Sequence, residues 1–372
     1  MANVTKYVGD RRIGLVTNPS AVDSRLRSTL DLLAPTGQLS ALFGLEHGVR
    51  GHVQAGEKVA TMVDEKTGLP VYSLYGETRK PTPEMLASVD CLVFDLQDVG
   101  CRFYTYLYSL LYLLEASASY QLPIIVLDRP NPLGGLTVSG NILEEEYVSF
   151  VGYPLPTRYG LTIGELALYF NETRNINAPL TVVKMEGWHR DYYWPETGLS
   201  WIPPSPNIPT ADTALVYPGT CLIEGTNLSE GRGTTRPFEL IGAPWIDGDQ
   251  LASELNSLTL GGVIFRPTYF TPSFSKHQGV LCSGVQVHVV DRTSFDPHVT
   301  IVSLLDTIIR NHEEFQFLTP PGQRYFFDLL AGTSRLRELL SNQDRLALDQ
   351  LLEDWKQEAA RFTRERQEFF LY

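Results

Sequence analysis

The first 130 residues alternate short apolar runs with helical patterns. Consecutive apolar positions predict strands buried on both faces, as in a parallel sheet covered by helices. Such runs occupy 12–17 (RIGLVT), 39–43 (LSALF), 90–95 (DCLVFD) and 123–128 (PIIVLD). Helices are predicted at 23–33 and 102–120, and a short helix is predicted to begin at Pro83 with Thr82 as its N-cap. We therefore predict a Rossmann-like parallel sheet with helices on both faces.

The pattern changes after residue 130. Thr162 and Glu165 have the T-x-x-E spacing of a capping box and predict a helix to about residue 171. The stretch 195–244 holds 8 of the 24 prolines and is predicted to be structured loop rather than helix. A mixed second region is expected, with strands at 180–185, 262–266 and 284–290 and helices at 247–257, 297–311, 323–340 and 344–365.

A chain of 372 residues has the length of two domains, at roughly 150 residues per domain. The change of pattern places the boundary so that a Rossmann-like domain spans 1–156 and a mixed α/β domain spans 157–372.

Charge and composition exclude several classes of partner. The chain has 30 Lys plus Arg and 43 Asp plus Glu, a formal charge of −13 that repels nucleic acid. No apolar run approaches the ~20 residues of a membrane span, so membrane insertion is not expected. The N-terminus lacks a signal-peptide pattern, which predicts a cytoplasmic protein, or a secreted or periplasmic one if a leader was removed. The four cysteines have no C-x-x-C spacing, so neither a zinc site nor a redox pair is indicated.

Polar residues follow each predicted strand of the first domain. Since the carboxyl ends of parallel strands meet at one edge of a sheet, a ligand crevice is expected there. The turn after the first strand, TNPSAVDS, lacks G-x-G-x-x-G, and no P-loop motif occurs, so the domain is predicted to bind no dinucleotide. The residues delivered to this edge are Asn18, Glu46, His47, Asp95, Gln97, Asp98, Asp128, Arg129 and Asn131.

Two loops of the first domain carry candidate chemistry. The loop GLEHGVRG (44–51) places Glu46, His47 and Arg50 among three glycines that allow tight backbone turns. Its alternative interpretation is a surface ion pair of Glu46 with Arg50 or His47; a metal site is not expected, because His52 adds no recognised ligand spacing. In DLQDVGCRFYTY (95–106), Asp98 is either functional or the N-cap of the next helix, and the tyrosines are either functional or core.

A third polar loop, EGTNLSEGRGTTRPFE (224–239), lies between apolar flanks in the second domain. It is either an exposed solvated loop or part of the same cleft, which the PPSPN segment could reach with Asn207. No G-x-S-x-G nucleophile elbow is present. Carboxylates on two separate loops, with arginines and aromatics, favour glycoside hydrolysis, in which one carboxylic acid protonates the leaving oxygen and a second carboxylate attacks or activates water.

At these residues the chain resembles the NamZ-type exo-β-N-acetylmuramidases, a bacterial glycoside hydrolase family. The resemblance extends over essentially the whole chain and includes GLVTNPS, LFGLEHGVRG, FDLQDVGCRFYTY, VLDRPNPLGG, WIPPSPN and YPGTCLIEGTNLSEGRGTTRPFE. It implies two α/β domains with a cleft between them and release of N-acetylmuramic acid from peptidoglycan fragments without a cofactor. Glu46 is the catalytic carboxylate that it implies. The chain departs from the family at Leu45, where Pro is common, and at Tyr159, where His is frequent.

The predicted site combines the residue patterns with this resemblance. The alternative is a muropeptide-binding protein without catalysis, which has no need of acids beside arginines. Arg50, Arg232 and Arg102 are the candidates for binding the lactyl carboxylate of N-acetylmuramic acid. The predicted catalytic residues are Glu46, Glu230 and Asp98. The predicted substrate-binding residues are Asn18, His47, Arg50, Asp95, Gln97, Arg102, Tyr104, Asn131, Asn207, Glu224, Asn227 and Arg232.

Overall fold

A computed structural model describes residues 4–46, 48–51, 62–76, 78–149, 152–319 and 324–372. The strands are β1 (Ile13–Thr17), β2 (Leu39–Gly44), β3 (Met62–Val63), β4 (Pro70–Ser73), β5 (Cys91–Asp95), β6 (Ile124–Leu127), β7 (Ser139–Ile142), β8 (Pro156–Arg158), β9 (Leu180–Val183), β10 (Leu240–Ala243), β11 (Val263–Phe270) and β12 (Cys282–Val289). The helices are α1 (Val4–Val8), α2 (Thr29–Leu33), α3 (Pro83–Leu86), α4 (Tyr106–Tyr120), α5 (Ile163–Thr173), α6 (Ala211–Thr220), α7 (Gly248–Ser257), α8 (Pro297–Asn311), α9 (Phe326–Ala331), α10 (Arg335–Asn342) and α11 (Arg345–Glu365).

In the described part of the chain, seven strands form the first sheet, in the order β3-β4-β2-β1-β5-β6-β9. All neighbours are parallel except β3 and β4. Both faces are buried: in β5, Cys91 and Val93 pack into one apolar cluster while Leu92 and Phe94 pack into the other. This arrangement confirms the predicted Rossmann-like sheet. The chain leaves β1 in one direction towards β2 and returns to its other side with β5, so the carboxyl ends of β1 and β5 form the switch point where ligands bind in such sheets.

The four strands predicted in the first domain are confirmed, but the helix predicted at 23–33 is too long. Only Thr29–Leu33 is helical. The Asp23 carboxylate accepts hydrogen bonds from the backbone N–H groups of Arg25 and Arg27 and so closes a turn instead. The Asp23 side chain thus competes with helical backbone hydrogen bonding, and the pattern of apolar positions does not reveal this local effect.

The first sheet takes its last strand, β9, from beyond residue 156, because Leu180–Val183 pairs with β6. A second sheet is antiparallel, in the order β10-β12-β11, and α7 packs against it. The hairpin of β7 and β8 packs against α11. The capping box of Thr162 and Glu165 is confirmed at the start of α5.

Two predictions about the second half are wrong. The proline-rich stretch 195–244 contains a helix, α6, which begins after the N-cap Thr210 and holds Pro218 in its last turn. Most of the prolines lie outside it. The helix predicted at 323–340 is divided into α9 and α10, because Gly332 is left-handed, with a φ of 73°, and ends α9. Among the described residues, no helix has the length and apolar content needed to cross a membrane.

Candidate active site

Glu46 follows β2 at the carboxyl edge of the first sheet. Its Oε2 accepts a hydrogen bond from the Thr105 hydroxyl at 2.7 Å, and its Oε1 accepts one from the Tyr75 hydroxyl at 3.1 Å. Gly48 and Gly51 have φ values of 71° and 73°, so the loop makes the tight turns that its glycines predict. The carboxylate is half-buried and held in one orientation by two donors.

Aromatic rings connect the segment before α4 to the polar loop of the second domain. Burial, Tyr106 and the charge of Glu46 raise the pKa of Tyr104 well above its ordinary value. The ring of Tyr104 meets that of Tyr217 edge-on, with the centroids 6.4 Å apart. Tyr217 in turn meets Phe238 at 4.8 Å. These rings form a continuous aromatic wall from the first domain to the polar loop at 224–239.

That loop presents a compact charge cluster at the far end of the aromatic wall. Arg232 lies 2.6 Å from Glu224 and 3.5 Å from Glu230, and Lys276 lies 2.8 Å from Glu230. Glu230 is 2% exposed, whereas the side chains of Glu224 and Arg232 are 20% and 21% exposed. Burial raises the pKa of Glu224 above its usual range, against the opposing effect of Arg232. The alternative of a solvated loop is therefore wrong.

Asp98 lies in the interior beside the same aromatic wall. Its Oδ2 accepts hydrogen bonds from the Tyr159 hydroxyl and from the backbone N–H of Gly100, the latter at 2.8 Å. Its Oδ1 is buried and has no hydrogen-bond partner among the described residues. Burial raises the pKa of Asp98 to about 6. Asp98 does not cap α4, whose N-cap is Thr105.

The PPSPN segment contacts the end of β1 and the start of α4. The carbonyl of Pro204 accepts hydrogen bonds from the Tyr106 hydroxyl at 2.7 Å and from Asn18 Nδ2 at 3.3 Å. Asn207 is buried at the end of this segment. The contact joins the segment to β1 and α4.

Other predicted residues at the sheet edge are engaged in the fold. Asp95 accepts from Thr29 and forms an ion pair with Arg129. Gln97 Nε2 donates to the carbonyls of Asp98 and Pro130, both at 2.7 Å. Asp95 is 1% exposed and Gln97 is 2% exposed. Both side chains therefore help to build the switch point.

Two of the three arginines predicted to bind the lactyl carboxylate are bound to other groups of the protein. Arg50 forms a two-pronged ion pair with Asp64, at 2.6 and 2.8 Å, and does not pair with Glu46. This pairing lowers the pKa of Asp64 to about 2. Arg102 is fully buried, and its terminal nitrogens donate to carbonyls that include those of Leu155 and Ala331. The placement of Arg102 in the cleft is therefore not supported, because its charge is used to join the two halves of the chain.

Two asparagines that were predicted to bind substrate donate hydrogen bonds to backbone carbonyls. Asn131 donates to the carbonyl of Leu161 at 2.8 Å, and Asn227 donates to that of Glu314 at 2.7 Å. His47 and His52 lie outside the described residues. Within the described ranges, no cluster of three or more His, Cys, Asp or Glu has the arrangement of a metal site.

Sequence reasoning missed four residues that complete the site. Thr105 and Tyr75 orient Glu46, Tyr217 continues the aromatic wall, and Lys276 neutralises Glu230. Thr105 lies in the DLQDVGCRFYTY motif, which drew attention to its carboxylates and tyrosines, whereas Tyr75 lies in a segment to which the sequence analysis gave no role. Lys276 lies in a segment without any recognised motif. The arrangement offers an oriented carboxylate and a second carboxylate beside an arginine, and glycoside hydrolysis needs two such acidic groups.

Family models match almost the whole chain. The models of the N-terminal and C-terminal parts of exo-beta-N-acetylmuramidase NamZ match residues 13–212 and 215–372. The peptidoglycan beta-N-acetylmuramidase NamZ of Bacillus subtilis (strain 168) is 51% identical over 371 residues, covering 99% of this chain and 88% of that protein.

Solved structures extend the similarity to the fold. A crystal structure of a DUF1343 family protein from Bacteroides fragilis NCTC 9343 has a TM-score of 0.89 and 40% identity, covering 100% of this chain and 96% of that one. A second DUF1343 structure from the same organism has a TM-score of 0.78 and 30% identity, covering 100% and 98%.

Proposed function

Since the chain belongs to the NamZ family and is an exo-β-N-acetylmuramidase, a glycosidase of peptidoglycan, we propose that Glu46 is its catalytic carboxylate. The proposal rests on one observation: Glu46 is held by Thr105 and Tyr75 at the start of an aromatic wall that reaches a second carboxylate on the other domain. A peptidoglycan-derived glycan ending in β-1,4-linked N-acetylmuramic acid is the substrate in this proposal.

Glu46 acts in this proposal as the proton donor to the glycosidic oxygen. As the bond between that oxygen and the anomeric carbon breaks, positive charge develops on the sugar ring, and water supplies the new oxygen at the anomeric carbon. The hydroxyls of Thr105 and Tyr75 hold the carboxyl group in position while the glycosidic bond breaks and while water adds to the anomeric carbon. Tyr104 and Tyr217 are 7% and 8% exposed, so their edge-on contact joins the Glu46 side of the site to the polar loop rather than offering a face to the sugar.

Glu224 is the stronger candidate for the second carboxylate. Glu230 is almost fully buried between Arg232 and Lys276 and so acts as a positioning residue for Arg232. Glu224 is partly exposed at the end of the aromatic wall, and the raised pKa makes its carboxylate a better base toward water. Asp98, in the interior, supports the wall through Tyr159.

The lactyl carboxylate of the substrate needs a cation on the cleft wall. Arg232 is the candidate: it lies between Glu224 and Glu230 with about a fifth of its side chain exposed, and Lys276 offsets the charge of Glu230. Its planar guanidinium can bind a carboxylate through two hydrogen bonds. Arg50 is paired with Asp64, and Arg102 is hydrogen-bonded to backbone carbonyls.

A chromogenic β-N-acetylmuraminide tests the proposal, with the matching N-acetylglucosaminide as a second substrate. The protein is expected to release chromophore from the muraminide and much less from the glucosaminide, with no change on adding EDTA. Glu46→Gln is expected to lower kcat by ~10²–10⁴, the usual contribution of general acid catalysis. The matched control is Glu313→Gln, at an exposed glutamate after α8. If Glu46→Gln keeps more than about a tenth of kcat, Glu46 is not the acid.

A further inference from the structure

The segment 271–281, which connects β11 to β12, packs on the polar loop of the second domain. At one contact, the backbone N–H and the hydroxyl of Ser273 both donate to the carbonyl of Gly233, each at 2.8 Å. At another contact, Nε2 of His277 lies 2.7 Å from the carbonyl oxygen of Asn227. The connecting segment therefore holds the polar loop at two separate points.

Lys276 belongs to the same segment and contacts the loop around Glu224. Its ammonium group donates to the carbonyls of Ile223 at 2.8 Å and Thr226 at 2.9 Å. It also forms an ion pair with Glu230, in which Nζ lies 2.8 Å from Oε2. Ile223 and Thr226 lie on either side of Glu224 in the sequence. One cation therefore holds the backbone before and after Glu224 and the neighbouring carboxylate of Glu230.

These contacts of Lys276 are largely enclosed. The Lys276 side chain is 21% exposed, and Glu230 is 2% exposed. A lysine ammonium has three N–H groups, which equals the number of oxygens that it contacts here. Exposed lysine pairs contribute little because water competes for both charges, whereas an enclosed polar network fixes its members in place. Lys276 is therefore built into the loop rather than paired at its surface.

Lys276 also balances charge in this loop. Glu224 and Glu230 carry two negative charges, and Arg232 and Lys276 carry two positive charges. Burial raises the pKa of Glu224, Arg232 lowers it, Glu230 raises it and Lys276 lowers it. Loss of the Lys276 charge should therefore raise the pKa of Glu224, and loss of the Glu230 charge should lower it.

Other titratable groups packed around Glu224 are uncharged, paired or exposed. Burial raises the pKa values of Tyr217 and Cys221, which keeps both groups neutral. Asp328 of α9, a helix that packs against this part of the chain, is held in an ion pair with an arginine. Glu314, in the segment after α8, is exposed and contacts the polar loop through its backbone carbonyl.

We propose that Lys276 is a positioning residue for Glu224, which it holds in place through the carbonyls of Ile223 and Thr226 and through the ion pair with Glu230. This role rests on the proposed function, in which Glu224 is the base toward water. Lys276 does not itself contact the reacting atoms. The segment that connects β11 to β12 thereby supports the active site.

Lys276→Met removes the ammonium group and keeps an unbranched apolar side chain. It is expected to lower kcat on the muraminide about tenfold or more, with a much smaller change in KM, because Glu224 loses its orientation while Arg232 remains. The matched control is Lys356→Met, at a lysine of α11 whose exposed ion pair with Glu353 contributes little. Equal kcat values for the Lys276→Met and unmodified proteins overturn the proposal.

The pH dependence of kcat/KM separates the charge of Lys276 from its hold on the backbone. The acid limb of this profile reports the base of the free enzyme. Lys276→Met should move the limb to higher pH, and Glu230→Gln should move it to lower pH. The double variant should return the limb to its unmodified position, while kcat stays low because the carbonyls of Ile223 and Thr226 still lack their donor.

The position of the acid limb does not depend on the fraction of protein that is folded, so partial unfolding of Lys276→Met does not imitate the expected shift. Limbs that stay in place in both single variants overturn the proposal. So does a shift to higher pH in Glu230→Gln, because the charge of Glu230 raises the pKa of Glu224.

Hydrogen–deuterium exchange of the full-length protein measures the hold on the backbone without activity. Peptides covering 221–228 are expected to exchange severalfold faster in Lys276→Met than in the unmodified protein, and Lys356→Met should leave their exchange unchanged. Unchanged exchange in Lys276→Met overturns the proposal.

Combining exchange with activity distinguishes this proposal from the proposed function. Faster exchange in Lys276→Met with unchanged kcat would remove Glu224 from the reaction and overturn the role of Lys276, while the result for Glu46→Gln would stand. If the unmodified protein does not hydrolyse the muraminide, the proposed function is wrong, and faster exchange would still support the hold of Lys276 on the backbone around Glu224.

Discussion

Thr105 donates its hydroxyl proton to Glu46 Oε2 over 2.7 Å, across 59 positions of the chain. Thr105 is the N-cap of α4, where a threonine hydroxyl usually accepts from the backbone of its own helix. Here the side chain makes no such cap bond. α4 therefore lacks this capping hydrogen bond, and its N-cap residue instead orients Glu46, which follows β2.

Removing this donor should lower activity without harming the fold. Thr105→Val keeps the shape of the side chain and removes its hydroxyl, so we expect kcat on the muraminide to fall about tenfold or more, as for loss of a hydrogen bond to a charged group. Thr105→Ser should retain most of kcat because it restores the donor. Urea unfolding should give equal stability for the three proteins. Equal activity of the valine and serine variants contradicts the orienting role.

Arg232 and Arg50 should differ in their effect on sugar selection. Arg232→Met should reduce kcat/KM for the muraminide by about 2 kcal/mol, roughly thirtyfold, and change the weak glucosaminide activity far less. Arg50→Met should leave the ratio of the two activities unchanged, because Arg50 is bound to Asp64. The ratio is the measurement, since it does not depend on the fraction of folded protein. Equal losses on both sugars for Arg232→Met would assign Arg232 to folding or catalysis.

Asp98 should make the protein less stable as pH rises. Burial raises its pKa from the ordinary 3.8 to about 6, so the unfolded chain releases this proton near pH 4 and the folded chain near pH 6. Stabilisation by the neutral carboxyl group is fully present below pH 4 and is lost as pH rises through 6. The two-unit difference corresponds to about 3 kcal/mol.

Asp98→Asn carries no charge at any pH and tests this dependence. Relative to the unmodified protein, its free energy of unfolding should rise by about 2 kcal/mol between pH 4.5 and pH 7.5, measured with urea, because about 1 of the 3 kcal/mol is already lost at pH 4.5. Asp349→Asn, on the exposed face of α11, is the control. A constant difference between the Asp98→Asn and unmodified proteins over this range contradicts a raised pKa for Asp98.

Tyr372 should stabilise the first domain from the C-terminal end of the chain. Its hydroxyl donates to Asp128 Oδ2 at 2.9 Å and accepts from the backbone N–H of Met185 at 2.7 Å. Tyr372→Phe leaves both groups without this partner and should cost about 1–3 kcal/mol of unfolding free energy. Tyr120→Phe, at an exposed tyrosine ending α4, should cost little. A Tm unchanged by Tyr372→Phe would show that solvent replaces both bonds.

Local sequence predicted elements well where one local signal dominates. Consecutive apolar residues predicted β1, β2, β5 and β6, and the T-x-x-E box predicted the start of α5. It failed where several local signals compete. Counting prolines across 195–244 hid α6, whose ten residues include only Pro218. A single backbone conformation at Gly332 divided the long helix predicted at 323–340.

The candidate site was predicted in part. Motif chemistry selected Glu46 and the loop that carries Arg232, because acids and bases gathered among glycines are unusual in a purely structural loop. It did not reveal that Arg102 donates to backbone carbonyls or that Arg50 pairs with Asp64. The local sequence around an arginine is the same whether it binds substrate or stabilises the fold.

By itself, the sequence determined the class of the first domain, the edge of the sheet that carries polar residues, and the family. These follow from periodicity and motifs, which depend on neighbours a few positions apart. Only the tertiary structure decided which charges pair, how deeply Glu230 and Asp98 are buried, and that Thr105 meets Glu46. These properties depend on contacts between residues far apart in the chain, and burial and hydrogen bonding acquire their strength only when packing has removed water.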